Sequence, residues 1–174
     1  MKKILFMHAA ALGLALGMSG QALALDLTLS AGMTSQSDTT WRAGLSSDWN
    51  RQWFASRTGH LSGYWDGGYT YWEGGNRSSG AHSLSFSPVL TYTFTGPRVQ
   101  PFIEAGIGVA AFNKTRVSGR KLGVAFSFED RLGAGIALPN NGKLGVRLLH
   151  YSNARIKRPN DGVNSWALFY RHPL

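Results

Sequence analysis

Cysteine is absent from the 174-residue chain, which excludes disulfide bonds, thiol nucleophiles and cysteine-based metal sites. Long apolar runs are also lacking, because the stretch from Ile4 to about Met18 is too short for a transmembrane helix. Acidic residues are scarce, with nine Asp and Glu against 18 Lys and Arg, and the net charge is +9. We expect a chain this basic to meet an anionic membrane surface rather than nucleic acid.

The first residues have the pattern of a secretory signal peptide. Lys2 and Lys3 precede the short apolar stretch, and Ala22-Leu23-Ala24 forms a small-x-small cleavage signal. We predict cleavage after Ala24, so that residues 1–24 are the signal peptide. Residues 25–174 then form one mature domain.

The mature sequence alternates between apolar and polar residues with a period of two, which predicts β-strands. The segment 82–94 is the clearest, and its apolar face carries His82, Leu84, Phe86, Pro88, Leu90, Tyr92 and Phe94. Because proline cannot donate to a β-ladder, we expect a bulge at Pro88. Seven further segments alternate in the same way: 25–30, 41–46, 61–71, 103–109, 124–136, 143–148 and 165–171.

Eight strands predict an all-β, antiparallel barrel, which is either a soluble barrel that carries lipid or a transmembrane barrel of the outer membrane. A membrane barrel turns its apolar face outward and fills its lumen with polar and small residues. Six charged residues can pair inside it: Arg42, Asp66, Glu104, Glu129, Arg131 and Arg147. Outward aromatic residues near the strand ends favour the membrane barrel, where aromatic girdles belong.

The predicted extracellular loops carry an excess of basic residues. They are Arg77, Lys114, Arg116, Arg120, Lys121, Arg155, Lys157 and Arg158. The outer leaflet is built of phosphorylated glycolipid, which such residues can bind. The alternative is that these loops are simply solvated and bind nothing. Because the basic residues lie on one side of the barrel, we give lipid binding and this alternative equal weight.

One strand end carries residues that could perform chemistry. His150 and Ser152 share the outward face of the seventh predicted strand, with Cα atoms roughly 6.6 Å apart, so the imidazole can activate the hydroxyl. Asn153 follows and could stabilise an oxyanion. Antiparallel pairing brings Asn164 near His150, and the adjacent hairpin sets Asp130 opposite Ser152 to within a residue or two. An ordinary polar strand end at the membrane interface is the alternative.

The run from His150 to Ala154, with Arg-Pro-Asn-Asp-Gly ending at Gly162, resembles the PagL-type lipid A 3-O-deacylases. Segments 64–66, 69–75, 101–112 and 128–131 resemble the family too, and the similarity covers essentially the whole mature chain. The resemblance implies an eight-stranded outer-membrane barrel and an esterase that removes the 3-linked hydroxyacyl chain of lipid A. It implies Ser152 as the nucleophile, His150 as the base and Asn153 in the oxyanion hole.

The third member of the family's triad, a glutamate, falls at Asn164. An amide can orient a histidine, but it stabilises an imidazolium less than a carboxylate does. Three outcomes are open: Asn164 orients His150 at a reduced rate, Asp130 or Asp161 supplies the charge, or the enzyme is weak or silent. We favour the first outcome, with help from Asp130.

We therefore expect an outer-membrane esterase of lipid A whose substrate phosphates dock on Arg155, Lys157 and Arg158. A non-catalytic small barrel with a structural or adhesion role is the alternative, and a soluble lipid-binding barrel is the third. We expect no cofactor, and the scattered histidines predict no metal site. The sequence leaves open whether the barrel forms a homodimer.

Overall fold

Eight long β-strands close into an antiparallel barrel, which confirms the fold predicted from the alternation. The structure, a computed structural model, describes residues 24–76 and 78–174, so most of the predicted signal peptide and Arg77 lie outside the described residues. The long strands are β1 (Asp26–Thr34), β2 (Thr39–Asp48), β3 (Gly59–Trp72), β4 (Ala81–Phe94), β5 (Gln100–Phe112), β8 (Phe126–Ala137), β9 (Lys143–Ser152) and β10 (Val163–Pro173). Two short strands, β6 (Arg116–Val117) and β7 (Arg120–Lys121), form a hairpin that the sequence did not predict.

The lumen is filled by buried ion pairs, as the polar faces of the strands predicted. Arg131 lies 2.8 Å from an Asp66 oxygen and 2.7 Å from a Glu129 oxygen, and Arg42 pairs with the same Asp66 oxygen. A second pair joins Arg147 Nε to Glu104 at 2.6 Å. Because each charge has an opposite partner at short range, the cost of burying it is offset. The interior is therefore a packed polar core.

The outer wall is apolar. Ile107 is 67 % exposed and Leu148 is 61 % exposed, although both are large aliphatic residues. A polar lumen and an apolar outer surface are typical of a barrel whose wall contacts hydrocarbon. They exclude the soluble lipid-binding barrel, which would turn its apolar face inward. Among the described residues, no helix is long and apolar enough to cross a membrane.

The start of β1 and the end of β10 lie at one end of the barrel, where the Leu174 N–H donates to the Leu25 carbonyl. We call this the terminal end and the opposite one the loop end. The loop end carries the connections 35–38, 73–80, 113–125 and 153–162. Beneath these loops lies a buried apolar cluster that includes Trp72, Phe112, Val117, Leu122, Tyr151 and Val163. The loops therefore rest on a packed layer that fills the loop end of the lumen.

The prediction of a bulge at Pro88 is wrong. Phe86 pairs with Val109 and Val89 with Gly106, so the β4–β5 register is the same on both sides of Pro88. The ladder with β5 is instead interrupted at Ser87 and Pro88, while Pro88 stays paired with Trp65 of β3. Proline lacks the N–H that this ladder needs, and an interruption accommodates the loss without an extra residue.

Candidate active site

His150 lies on the outer wall near the loop end, between two polar side chains of the neighbouring strands. Register pairs it with Asn164 of β10 on one side and with Asp130 of β8 on the other. All three residues occupy outward positions in strands whose alternate residues face the lumen. The structure thus brings Asp130 directly opposite His150, two residues from the position expected from the hairpin.

A hydrogen bond fixes the histidine ring. The distance from His150 Nδ1 to Asn164 Oδ1 is 2.5 Å. Since an amide oxygen can only accept, Nδ1 carries the proton and Nε2 keeps a free lone pair. This tautomer is the one that a general base requires.

Ser152 follows two residues later on the same face, half-buried and paired across the ladder with Phe128. Its hydroxyl makes no hydrogen bond to any residue in the described part of the chain. Hydrogen bonds between a nucleophile and its base are often long in the free enzyme and tighten when substrate binds. Position and face are therefore suited to a nucleophile next to His150.

Gly162 borders the imidazole, a contact that sequence analysis did not identify. Its φ is +63°, and a Cβ built on it would lie 2.9 Å from His150 Cε1 and 3.5 Å from Nε2. Because Val163 pairs with Tyr151, Gly162 lies across from Ser152. The missing side chain leaves room beside the edge of the imidazole that carries Nε2. The sequence signal was the Asp-Gly step before the strand.

Asn153 is fully buried, and its backbone and side-chain N–H groups donate hydrogen bonds within the protein. Its amide nitrogen donates to the carbonyls of Leu122 at 2.7 Å and Lys157 at 2.8 Å, and its backbone N–H donates to Asn160 Oδ1 at 3.0 Å. The bond to Leu122 ties the loop after β9 to the loop 113–125, and the other two bonds fix the loop's own fold. The oxyanion role predicted for Asn153 thus requires one of these bonds to be exchanged for substrate.

Asp161, the other acid considered for the triad, points away from His150. Its carboxylate accepts the Lys121 backbone N–H at 2.9 Å, and its own N–H donates to the Lys121 carbonyl. The structure therefore does not bring this charge to the histidine.

An apolar groove of about 990 Å³ leads away from His150, Asp130 and Asn164 along the outer wall. It crosses β8 and β5 towards the middle of β4, away from the loop end. Its apolar lining includes Leu90, Ala105, Ile107, Leu132, Leu148 and Trp166. The groove has the chemistry of a site for an extended hydrocarbon chain whose polar end lies at His150.

The basic residues predicted to bind phosphate lie above this site. Arg155, Lys157 and Arg158 are exposed in the loop 153–162, which leads from Ser152 to Asn164. A shallow depression there is lined by Arg155, Arg158 and Asn160. The loop thus presents positive charge next to the end of the groove where His150 lies.

His82 lies on the outer wall at a distance from this site. Its Nδ1 is 2.6 Å from the Tyr69 hydroxyl, and its ring contacts Tyr71. The structure therefore places it in an aromatic cluster of β3 and β4, apart from His150 on β9.

Comparisons with known proteins point to one family. The family model "Lipid A 3-O-deacylase (PagL)" matches residues 36–173. The chain is 55% identical to the lipid A deacylase PagL of Pseudomonas aeruginosa over 153 residues, which is 88% of each chain. It is 33% identical over 138 residues to the enzyme of the same name from Bordetella bronchiseptica, covering 79% of this chain and 71% of the relative.

A solved structure extends the likeness to the whole barrel. The crystal structure of the outer membrane enzyme PagL superposes with a TM-score of 0.84 at 55% identity, covering 86% of this chain and 99% of that one. Together with the apolar wall, this match places the barrel in the outer membrane, as the sequence predicted. The chain belongs to the PagL family of lipid A 3-O-deacylases.

Proposed function

We propose that this protein is a serine esterase that hydrolyses the ester of the 3-linked hydroxyacyl chain of lipid A in the outer membrane. The observation that carries the proposal is the His150–Asn164 hydrogen bond beside Ser152 on a wall that faces hydrocarbon. An ester near the top of the acyl layer is reached only from outside the barrel. The outward register of these residues supports that approach.

In the proposed reaction, His150 Nε2 takes the proton of the Ser152 hydroxyl, and the serine oxygen attacks the acyl carbonyl carbon. The ester bond to the sugar oxygen then breaks, and His150 returns the proton to that oxygen. Water, activated by the same nitrogen, hydrolyses the acyl-serine and releases the fatty acid. Asn164 holds the ring in the required tautomer throughout.

Asn164 is the feature that sets the proposed rate. A carboxylate at this position would stabilise the imidazolium that forms when His150 takes the proton, whereas the amide carries no charge. Asp130, on the other flank of His150, supplies a negative charge without a hydrogen bond to the ring. We propose an active enzyme whose turnover is lower than a glutamate at position 164 would give.

The surroundings support a lipid with a phosphorylated head group as substrate. The groove along β8 and β5 takes the acyl chain, and Arg155, Lys157 and Arg158 bind the phosphates. His150, Ser152 and Asn164 come from one chain, so the chemistry does not need the homodimer left open by the sequence.

Mass spectrometry of lipid A after expression of the full chain tests the proposal. We expect the loss of one hydroxyacyl chain, abolished by Ser152→Ala in a barrel that still shows heat-modifiable gel mobility. Ser62→Ala is a matched control, because Ser62 is half-buried near the terminal end of β3, remote from His150. Unchanged lipid A with the wild-type chain would instead support the non-catalytic barrel.

A further inference from the structure

The β6–β7 hairpin is anchored in the core beneath the loops. Val117 and Leu122 are fully buried, in one cluster with Tyr151 and Val163. Tyr151 separates His150 from Ser152 in the chain, and Val163 separates Gly162 from Asn164. The hairpin therefore packs on the same layer that supports the candidate active site.

Arg120 of this hairpin binds the loop that leads into the site. Its Nε donates to the Gly162 carbonyl at 3.0 Å, and its Nη2 donates to the Asp161 carbonyl at 2.5 Å. The next residue, Lys121, forms reciprocal contacts with Asp161. A planar guanidinium can bind two successive carbonyls at once, which fixes both the position and the direction of the segment.

A close approach of backbones strengthens the same contact between loops. Gly123 has a φ of +78°, and a Cβ on it would lie 2.2 Å from the Pro159 carbonyl oxygen. The side chain of Asn153 bridges the two loops from below through Leu122 and Lys157. The loop 153–162 is thus held at its Gly162 end by the hairpin and at its Asn153 end by Leu122, which directly follows the hairpin.

We propose that Arg120 is a positioning residue of the esterase: it holds Gly162 against the imidazole and so sets the space between His150 and Ser152. This inference rests on the proposed function. Arg120 is one of the basic residues predicted to face phosphorylated glycolipid, but its Nε and Nη2 donate to backbone carbonyls. Positioning by Arg120 depends on the planar geometry of its guanidinium, whereas binding of a phosphate by this residue would depend mainly on its charge.

Charge-conserving and charge-removing variants separate these two roles. In Arg120→Lys the charge stays, but one ammonium cannot reproduce the two-pronged contact. We expect both Arg120→Lys and Arg120→Gln to lower kcat about 10- to 100-fold with little change in KM, because small misplacements of reacting groups have effects of that size. Arg98→Gln, an exposed arginine at the terminal end, is the charge-matched control.

A second measurement removes the lipid head group from the assay. A neutral fluorophosphonate should label Ser152 in the detergent-solubilised wild-type barrel, and we expect the Arg120 variants to react more slowly by a similar factor. Near wild-type kcat and labelling in Arg120→Lys, with a raised KM in Arg120→Gln, would overturn the positioning role in favour of a phosphate ligand. Failure of the wild-type chain to label at Ser152 would overturn the nucleophile assignment itself, so the two failures are distinguishable.

Discussion

The imidazole of His150 takes its orientation from Asn164, which faces it across β9 and β10 with 2.5 Å between Nδ1 and Oδ1. A carboxylate in the place of this amide would accept the same hydrogen bond and add a charge. We therefore expect Asn164→Glu to raise kcat about 10-fold or more, since a charged acceptor stabilises the imidazolium.

Removal of the acceptor gives the opposite prediction at the same position. Asn164→Leu leaves Nδ1 without a partner, and we expect deacylation to fall about 100-fold because the base loses its fixed tautomer. Single-turnover kinetics on lipid A micelles measure both variants. Equal rates for the wild type, the leucine variant and the glutamate variant would show that Asn164 does not orient the base.

Asp130 is a direct cross-strand neighbour of His150 and makes no hydrogen bond to it in the described chain. Its effect on the base should be electrostatic, so Asp130→Asn should lower kcat about two- to tenfold. The loss should shrink when Asn164→Glu is also present, because the ring then has a bonded carboxylate. An unchanged rate in the single variant, together with no gain from Asn164→Glu, would contradict the proposed division of roles.

Gly162→Ala should reduce activity without unfolding the barrel. A Cβ there would lie 2.9 Å from the histidine ring, and the φ of +63° disfavours any side chain. We expect kcat to fall about 10- to 100-fold through displacement of His150. Gly67→Ala is the matched control, because its nearest neighbour would be Phe86 at 3.9 Å. Similar losses in both alanine variants would argue against a local effect at the histidine.

Ala105 lines the groove opposite Leu132, so a larger side chain there should fill the path of the acyl chain. We expect Ala105→Phe to lower hydrolysis of a long-chain ester about 10-fold and to leave a short-chain ester unaffected. Ala134→Phe lies on the same wall outside the groove and serves as the control. Equal effects on long and short esters would locate the acyl chain elsewhere.

Arg147 and Glu104 form the second ion pair of the lumen, and the Tyr64 hydroxyl also donates to the carboxylate. Arg147→Met leaves the carboxylate buried without its cation, and we expect a loss of about 3–5 kcal/mol in the free energy of unfolding. Urea unfolding in detergent, with gel mobility as the readout, measures this free energy. The double variant Arg147→Met/Glu104→Gln should recover part of the loss, whereas the exposed control Arg98→Met should lose little.

The sequence predicts the barrel and the face of each strand because both follow from a period of two that the side chains display directly. It also predicts that Asn164 lies near His150, since two successive antiparallel strands pair side by side, and that Ser152 shares the outward face of His150, since the two residues are two positions apart in one strand. The contacts of Gly162, Arg120 and Asn153 could not be predicted. They join two loops through residues that are 31 to 42 positions apart in the chain, and their conformation depends on backbone angles and carbonyl positions that no local pattern encodes.

The filled lumen has a consequence for how substrate reaches the enzyme. With ion pairs along the barrel axis and Trp72, Phe112 and Tyr151 packed beneath the loops, nothing as large as an acyl chain can travel through the protein. Substrate must arrive by lateral diffusion in the membrane, and the deacylated lipid must leave in the same way. Turnover in vesicles should therefore follow the mole fraction of lipid A in the surface, and dilution of the suspension at constant lipid composition should leave it unchanged.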